Sequence, residues 1–157
     1  MPILTLEDLA ARLPRDGRLV GLDVGTKTVG VAVSDPSRRL ATPITTVRRK
    51  KFRDDAAALK KLIDEREAAA LVVGLPVNMD GSEGPRAQSV RQFAANLLGA
   101  FDLDLAFWDE RLSTAAVTRG LIAADMSRAR RAAVVDAEAA AYILQGALDR
   151  LARIAPA

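Results

Sequence analysis

Asp23 lies near the end of an apolar run, Leu19-Val20-Gly21-Leu22-Asp23-Val24, and Gly25 follows two residues later. A second apolar run, Val29-Gly30-Val31-Ala32-Val33, comes next. A lone carboxylate is costly to bury, so this pattern suggests a strand that carries an acid to a site of close phosphate contact. Gly25 would let the backbone approach a ligand with no Cβ in the way. The competing reading is a hairpin whose acid turns to water. Asp109-Glu110 follow the apolar pair Phe107-Trp108, and strand alternation sets these two acids on opposite faces without choosing between them. Asp136 shares a helical stripe with Ala139, Ala140, Ile143 and Ala147, although an aspartate near a helix N-terminus is also favoured by the dipole. Asp35 precedes Pro36 and reads as a turn residue. Carboxylates brought together from separate segments repel one another, and a divalent cation relieves this. Two magnesium ions about 4 Å apart can activate a water and stabilise the leaving oxygen in phosphodiester cleavage.

Composition narrows the chemistry. The chain has 157 residues, half of them apolar, and contains neither cysteine nor histidine. Disulfides, thiolate sites, zinc-histidine sites and histidine acid/base catalysis are therefore excluded. Carboxylates, lysine, hydroxyls and a hard metal ion held through oxygen remain, with Mg2+ or Mn2+ as the natural choice. The length suits one domain spanning residues 1–157. No apolar run is long enough to suggest a membrane helix, and Glu7, Asp8 and Arg12 break up the leucines at the N-terminus. A cytoplasmic location is the expectation. Net charge is +3 and the sequence pI is about 9.7. Placement says more than magnitude: Arg48-Arg49-Lys50-Lys51 with Arg53 form one basic cluster, and Arg128, Arg130 and Arg131 form another.

The elements that must position these residues follow from pattern. Residues 3–13 read as a short amphipathic helix capped by Thr5, ended by Pro14 and Gly17. Residues 18–24 and 28–34 read as a strand pair turning at Gly25-Thr26-Lys27, and 44–47 as a third strand of β-branched type. A helix opens at Asp54-Asp55 and ends near Glu67. Leu71-Val72-Val73-Gly74-Leu75 is a continuous apolar run typical of a central parallel strand. The polar loop from Asn78 to Gly84 leads to Pro85, which suits the first turn of a helix running to about Leu98. Leu103–Trp108 is a further strand, Ser113-Thr114 cap a helix bearing Val117, Leu121 and Ile122, and residues 132–152 form the last helix. Three early strands followed by alternating helix and strand predict an α/β domain with a mixed sheet.

Together these segments resemble a known family. Asp23-Val24-Gly25-Thr26-Lys27, Gly74-Leu75-Pro76, Asn78-Met79-Asp80-Gly81-Ser82-Glu83-Gly84, Asp109-Glu110-Arg111-Leu112-Ser113-Thr114, and Asp136 with Ala139-Ala140 and Ile143-Leu144-Gln145 are similar, in order, to the YqgF/RuvX family. That family is described both as Holliday junction resolvases and as pre-16S rRNA nucleases. The resemblance covers about residues 18–150 and leaves the short N-terminal helix, within 1–16, outside it. It implies a ribonuclease H-like fold with a five-stranded mixed sheet flanked by helices. It implies Asp23, Glu110 and Asp136 as the catalytic and metal-binding triad, and so selects Glu110 over Asp109. The implied activity is a Mg2+- or Mn2+-dependent endonuclease on structured nucleic acid, with 5′-end processing of the 16S rRNA precursor the leading substrate and branched DNA the rival.

Smaller expectations attach to substrate binding. Lys27 and Arg111 are placed to contact phosphate, with a solvated lysine and a structural ion pair as the competing readings. Asn78 opens a loop longer than a turn requires. Arg48 and Arg49 precede a helix N-terminus, where the dipole disfavours cations, which points to phosphate contact. Aromatic residues are few, so backbone and shape recognition are expected to outweigh base stacking. Two other classes compete with the nuclease. One is a nucleic-acid-binding ribosome-maturation factor without chemistry. The other is a sugar kinase or actin-like ATPase, which shares the Asp-x-Gly-Thr signature but needs two such domains around a nucleotide. A monomer or a homodimer is expected, the dimer if both strands of a symmetric junction are cut.

Overall fold

The computed structural model describes residues 3–112 and 128–154. Its centre is a six-stranded sheet in the order β1-β6-β5-β2-β3-β4. The strands are β1 (Ile3–Leu4), β2 (Arg18–Val24), β3 (Thr28–Ser34), β4 (Ala41–Arg48), β5 (Ala68–Leu75) and β6 (Asp104–Asp109). β2 pairs antiparallel with β3, and β3 with β4. β5 runs parallel to both β2 and β6, and β1 parallel to β6. The expected five strands are therefore corrected to six. The extra strand is the two-residue β1, at an edge where residues 3–13 were expected to be wholly helical. Helix α1 (Leu6–Arg12) begins only after Thr5, whose hydroxyl accepts the Asp8 N–H at 3.1 Å. That cap leaves Ile3 and Leu4 extended beside Leu105 and Ala106.

α2 (Phe52–Arg66), α3 (Pro85–Ala100) and α4 (Arg128–Arg153) complete the layers. The third strand is longer than expected and passes through Pro43, which an edge strand tolerates because its outer side needs no ladder donor. The helix expected after Ser113-Thr114 lies outside the described residues.

Strand alternation divides the core in two. Val20, Leu22, Val29, Val31, Leu71, Val73 and Leu105 face Leu59 and Ile63 of α2 and Val90, Phe93 and Leu97 of α3. The other face presents Leu19, Ala32, Ala70, Val72, Ala106 and Trp108 to Ala140, Ile143, Leu144 and Ala147 of α4 and to Leu9 of α1. Glycines on this second face let α4 settle very close. A Cβ at Gly21 would lie 2.7 Å from the Leu144 Cβ, and one at Gly30 would lie 1.9 Å from the Asp136 carbonyl oxygen. This architecture, a mixed sheet flanked by helices, is the ribonuclease H-like fold.

Candidate active site

Asp23 sits one residue before the end of β2 and is 9% exposed. Alternation from Leu19 and Gly21 points it to the α4 face. Its partner on β3 is Gly30. On the other side, the β2–β5 register reaches Leu22↔Val73, and the next step sets Asp23 beside Gly74. Neither glycine tolerates a Cβ: at Gly30 it would meet the Asp136 backbone, and at Gly74 it would lie 2.5 Å from the Ile143 Cδ1 and 3.2 Å from the Glu110 Cγ. The bare backbone at these positions thus admits the Asp136 backbone over Gly30 on one side of Asp23 and the Glu110 side chain over Gly74 on the other.

Glu110 and Asp109 diverge as alternation requires. Trp108 packs on the α4 face against Gly146, and Glu110, two residues on at the start of a 3-10 turn (Glu110–Leu112), stays on that side. Asp109 pairs across to Leu75 on the opposite face. There Arg111 grips it through Nη2 at 2.6 Å and Nε at 3.0 Å, and the Arg111 backbone N–H adds a bond of 2.9 Å. The guanidinium holds the Asp109 carboxyl below its usual range, and the carboxylate raises the arginine in turn. The Asp136 carboxylate accepts the hydroxyl of Thr28, the first residue of β3. Asp35 belongs to a turn, where its Oδ1 accepts the N–H groups of Arg39 and Leu40 at 2.8 and 2.9 Å. These bonds and the Ser37 hydroxyl hold its pKa far below the normal value.

The basic candidates separate into two kinds. Lys27 and Arg48 are exposed at the rim beside Asp23's turn. Arg49 instead points inward: it donates to the Gly25 carbonyl at 2.7 Å, lies over the Phe93 ring at 4.9 Å, and faces the buried Asp55 at 3.9 Å. Its backbone N–H also bonds the Lys27 carbonyl at 2.8 Å. The residue thus braces the turn after Asp23, a different task from the phosphate contact expected for it. Arg111 is likewise held by Asp109, and it reaches the Met79 carbonyl at 3.4 Å. Asn78 is tied into its own loop. Its Nδ2 donates to the Ser82 hydroxyl at 3.0 Å, and its carbonyl accepts the N–H of Gly81, whose φ of 90° a side chain would strain.

A family model described as RuvX, Holliday junction resolvase, matches residues 17–150. The chain belongs to the RuvX family. A relative from Bradyrhizobium sp. strain BTAi1 is 63% identical over 98% of this chain and 95% of its own length. Another, from Cereibacter sphaeroides strain KD131, is 64% identical over 93% of this chain and 91% of its own. Both carry the name "Putative pre-16S rRNA nuclease". Among solved structures, Thermus thermophilus RuvC in complex with a Holliday junction substrate aligns with a TM-score of 0.56 at 15% identity, covering 89% of this chain and 98% of that one. A second structure of that RuvC aligns at 0.52 and 12% identity, covering 89% and 99%. At such identities the likeness is one of fold.

Within this candidate site the donors are hard oxygens, the kind that suit Mg2+ or Mn2+. Asp23, Glu110 and Asp136 come from β2, the turn after β6, and α4 respectively. Their chemistry fits such an ion, although among the described residues the side chains as oriented do not close into a group of three acids able to hold one. Two side chains at the site were not anticipated from the sequence. Thr28 is recognisable in retrospect because alternation puts it on the face of Gly30. Arg86, whose Nη2 donates to the Val24 carbonyl at 2.7 Å, is a cation in the first turn of α3. That is the same mismatch with the helix dipole that drew attention to Arg48 and Arg49.

Proposed function

We propose that this protein is a metal-dependent endonuclease acting on structured nucleic acid, and specifically that it trims the 5′ end of the 16S rRNA precursor. The observation carrying this reading is the glycine-flanked arrangement at Asp23, which sets Glu110 and Asp136 to either side of it on one face of the sheet. The names borne by relatives above 60% identity supply the substrate. Asp23, Glu110 and Asp136 would hold the metal ion. A bound Mg2+ or Mn2+ supplies Lewis-acid charge neutralisation at the phosphate and lowers the pKa of water. The chain's own part is to hold the carboxylates in place: Gly30 and Gly74 seat α4, Thr28 orients Asp136, and Arg49 braces the turn at Gly25. Lys27 and Arg48 present positive charge to the approaching phosphate backbone, and Asn78 and Arg111 shape the loop wall beside them. The protein acts in the cytoplasm, and residues 1–157 form one nuclease domain.

Purified protein with Mg2+ or Mn2+ is expected to cleave an RNA spanning the precursor 5′ end, and Asp23→Asn to abolish cleavage. Cleavage by Asp23→Asn at the wild-type rate would refute the site. Tight binding by the wild type without metal-stimulated turnover would make the protein an assembly factor. In a depletion strain, 16S precursor should accumulate and be rescued by the wild type but not by Asp136→Asn.

A second substrate is favoured by the description of the family model, Holliday junction resolvase. Paired incision of a four-way DNA junction would support it, and would call for a homodimer with two-fold symmetry. Preference for the precursor RNA over the junction at equal concentrations would support the first reading.

A further inference from the structure

Arg86 differs from Arg49, Arg91 and Arg111 in how its guanidinium is used. Arg111 is committed to Asp109, Arg49 to the Gly25 carbonyl and the Phe93 ring, and Arg91 to Glu83 while lying 5.0 Å over the Phe107 ring. Arg86 is exposed, and among the described residues its guanidinium bonds the carbonyl of Val24, from Nη2 at 2.7 Å. Among the described residues no carboxylate lies within ion-pair distance of it. Val24 is the residue directly after Asp23, so this bond anchors an exposed cation within one peptide of the candidate acid and uses one of the guanidinium's five N–H donors.

We propose that Arg86 grips a backbone phosphate of the nucleic-acid substrate, next to the phosphate that the acids address. This inference rests on the nuclease reading of Asp23, Glu110 and Asp136. Two physical arguments carry it. The acids make this edge of the sheet repel a polyanion, and a fixed cation beside them offsets that repulsion. The guanidinium is also half-immobilised by Val24, so it gives up less side-chain entropy on gripping a phosphate than a free surface lysine would. α3 packs on the sheet face opposite the acids. Arg86 therefore meets the substrate from the far side of the β2 terminus, which places its partner one step along the backbone from the cleavage position.

The test is binding of a stem-loop RNA by the full chain in Ca2+, without turnover, across a salt series. Loss of one phosphate contact reduces the slope of log K against log salt by about 1. Arg86→Gln is expected to show that reduction and to raise KM more than it lowers kcat in Mg2+. Arg86→Lys keeps the charge, so its slope should stay near wild type while affinity falls through loss of the fork. An unchanged slope and affinity in Arg86→Gln would overturn the proposal. So would an equal fall of slope in both variants, which would assign the effect to the lost geometry at Val24. Should Arg86→Gln fail to fold, a reduced slope in Arg86→Lys alone would count against phosphate contact and a retained one for it. Asp23→Asn separates this from the nuclease reading: it should bind without cleaving, and cleavage by that variant refutes the site whatever Arg86 does.

Discussion

The two faces of the sheet are built on different principles. Toward α2 and α3 the strands present valine and leucine, and stability comes from the apolar volume they bury. Toward α4 they mix Leu19, Val72 and Trp108 with alanines and glycines, and at the glycines the helix comes to rest almost on the strands. The candidate acids lie on the second face. Bulky side chains hold a helix at a distance, whereas bare backbone lets Asp136 lie directly over Gly30, the strand partner of Asp23. The contrast teaches that the glycines of β2, β3 and β5 set how closely α4 and the Glu110 turn approach the strand that carries Asp23.

The sharpest way to break this comparison uses two adjacent acids on opposite faces. Glu110→Gln should lower cleavage by more than the roughly 100-fold that loss of a supporting contact can cost, whereas Asp109→Asn should leave the chemical step nearly intact. Equal losses in single-turnover assays would mean that the faces do not divide the labour. Gly30→Ala and Val31→Ala probe neighbours on one strand. The first forces a Cβ to 1.9 Å from a backbone oxygen that cannot step aside. It should cost more than the ~1–3 kcal/mol usual for overpacking and should also lower activity per folded molecule. The second removes two buried methyl groups and should cost about 2 kcal/mol with activity per folded molecule retained. Urea unfolding paired with active-site titration distinguishes the two.

A subtler probe is Thr28→Val, which keeps the shape but removes the donor to Asp136. Mn2+ affinity followed by paramagnetic resonance should fall about 10- to 100-fold, with Thr28→Ser restoring it. An unaltered affinity would leave Thr28 with a packing role only. The smallest expected effect lies on the opposite face. Because Arg111 depresses the Asp109 pKa, this pair stabilises the fold above the unfolded carboxylate value near ~4. The contribution is lost as pH falls through the lower folded value. Unfolding measured between about pH 3 and pH 6 should show a shallower acid decline in Asp109→Asn than in wild type, with the contrast small because the pair is partly exposed.

Much of this molecule is legible in the residues themselves. Apolar periodicity places β2, β3, β5, β6 and the three described long helices within a few residues, because burial of one face is a local property of spacing. Thr5 at its cap and Asp35 in its turn act through bonds to residues only a few positions away, so they too can be read without the fold. Absence of histidine and cysteine confines any metal chemistry to oxygen donors. The choice between Asp109 and Glu110 was within reach of alternation only once β6 had been docked: two faces are certain from the period, but which face carries α4 is not. The short strand β1 escaped because two residues carry no periodic signal and depend wholly on β6 for their bonds. The roles of Arg49 and Arg86 were decided by tertiary structure alone, whereas Arg111 makes the structural ion pair weighed for it, with Asp109 two residues away. A guanidinium at the end of a long, flexible side chain goes to whichever carbonyl or carboxylate the fold brings within reach. Those partners lie on other elements for Arg49 and Arg86, and on the strand end itself for Arg111. Residue type and spacing determined which chemistry this chain can perform. Only the packing of α4 against bare backbone decided which of its acids come to the same face of the sheet.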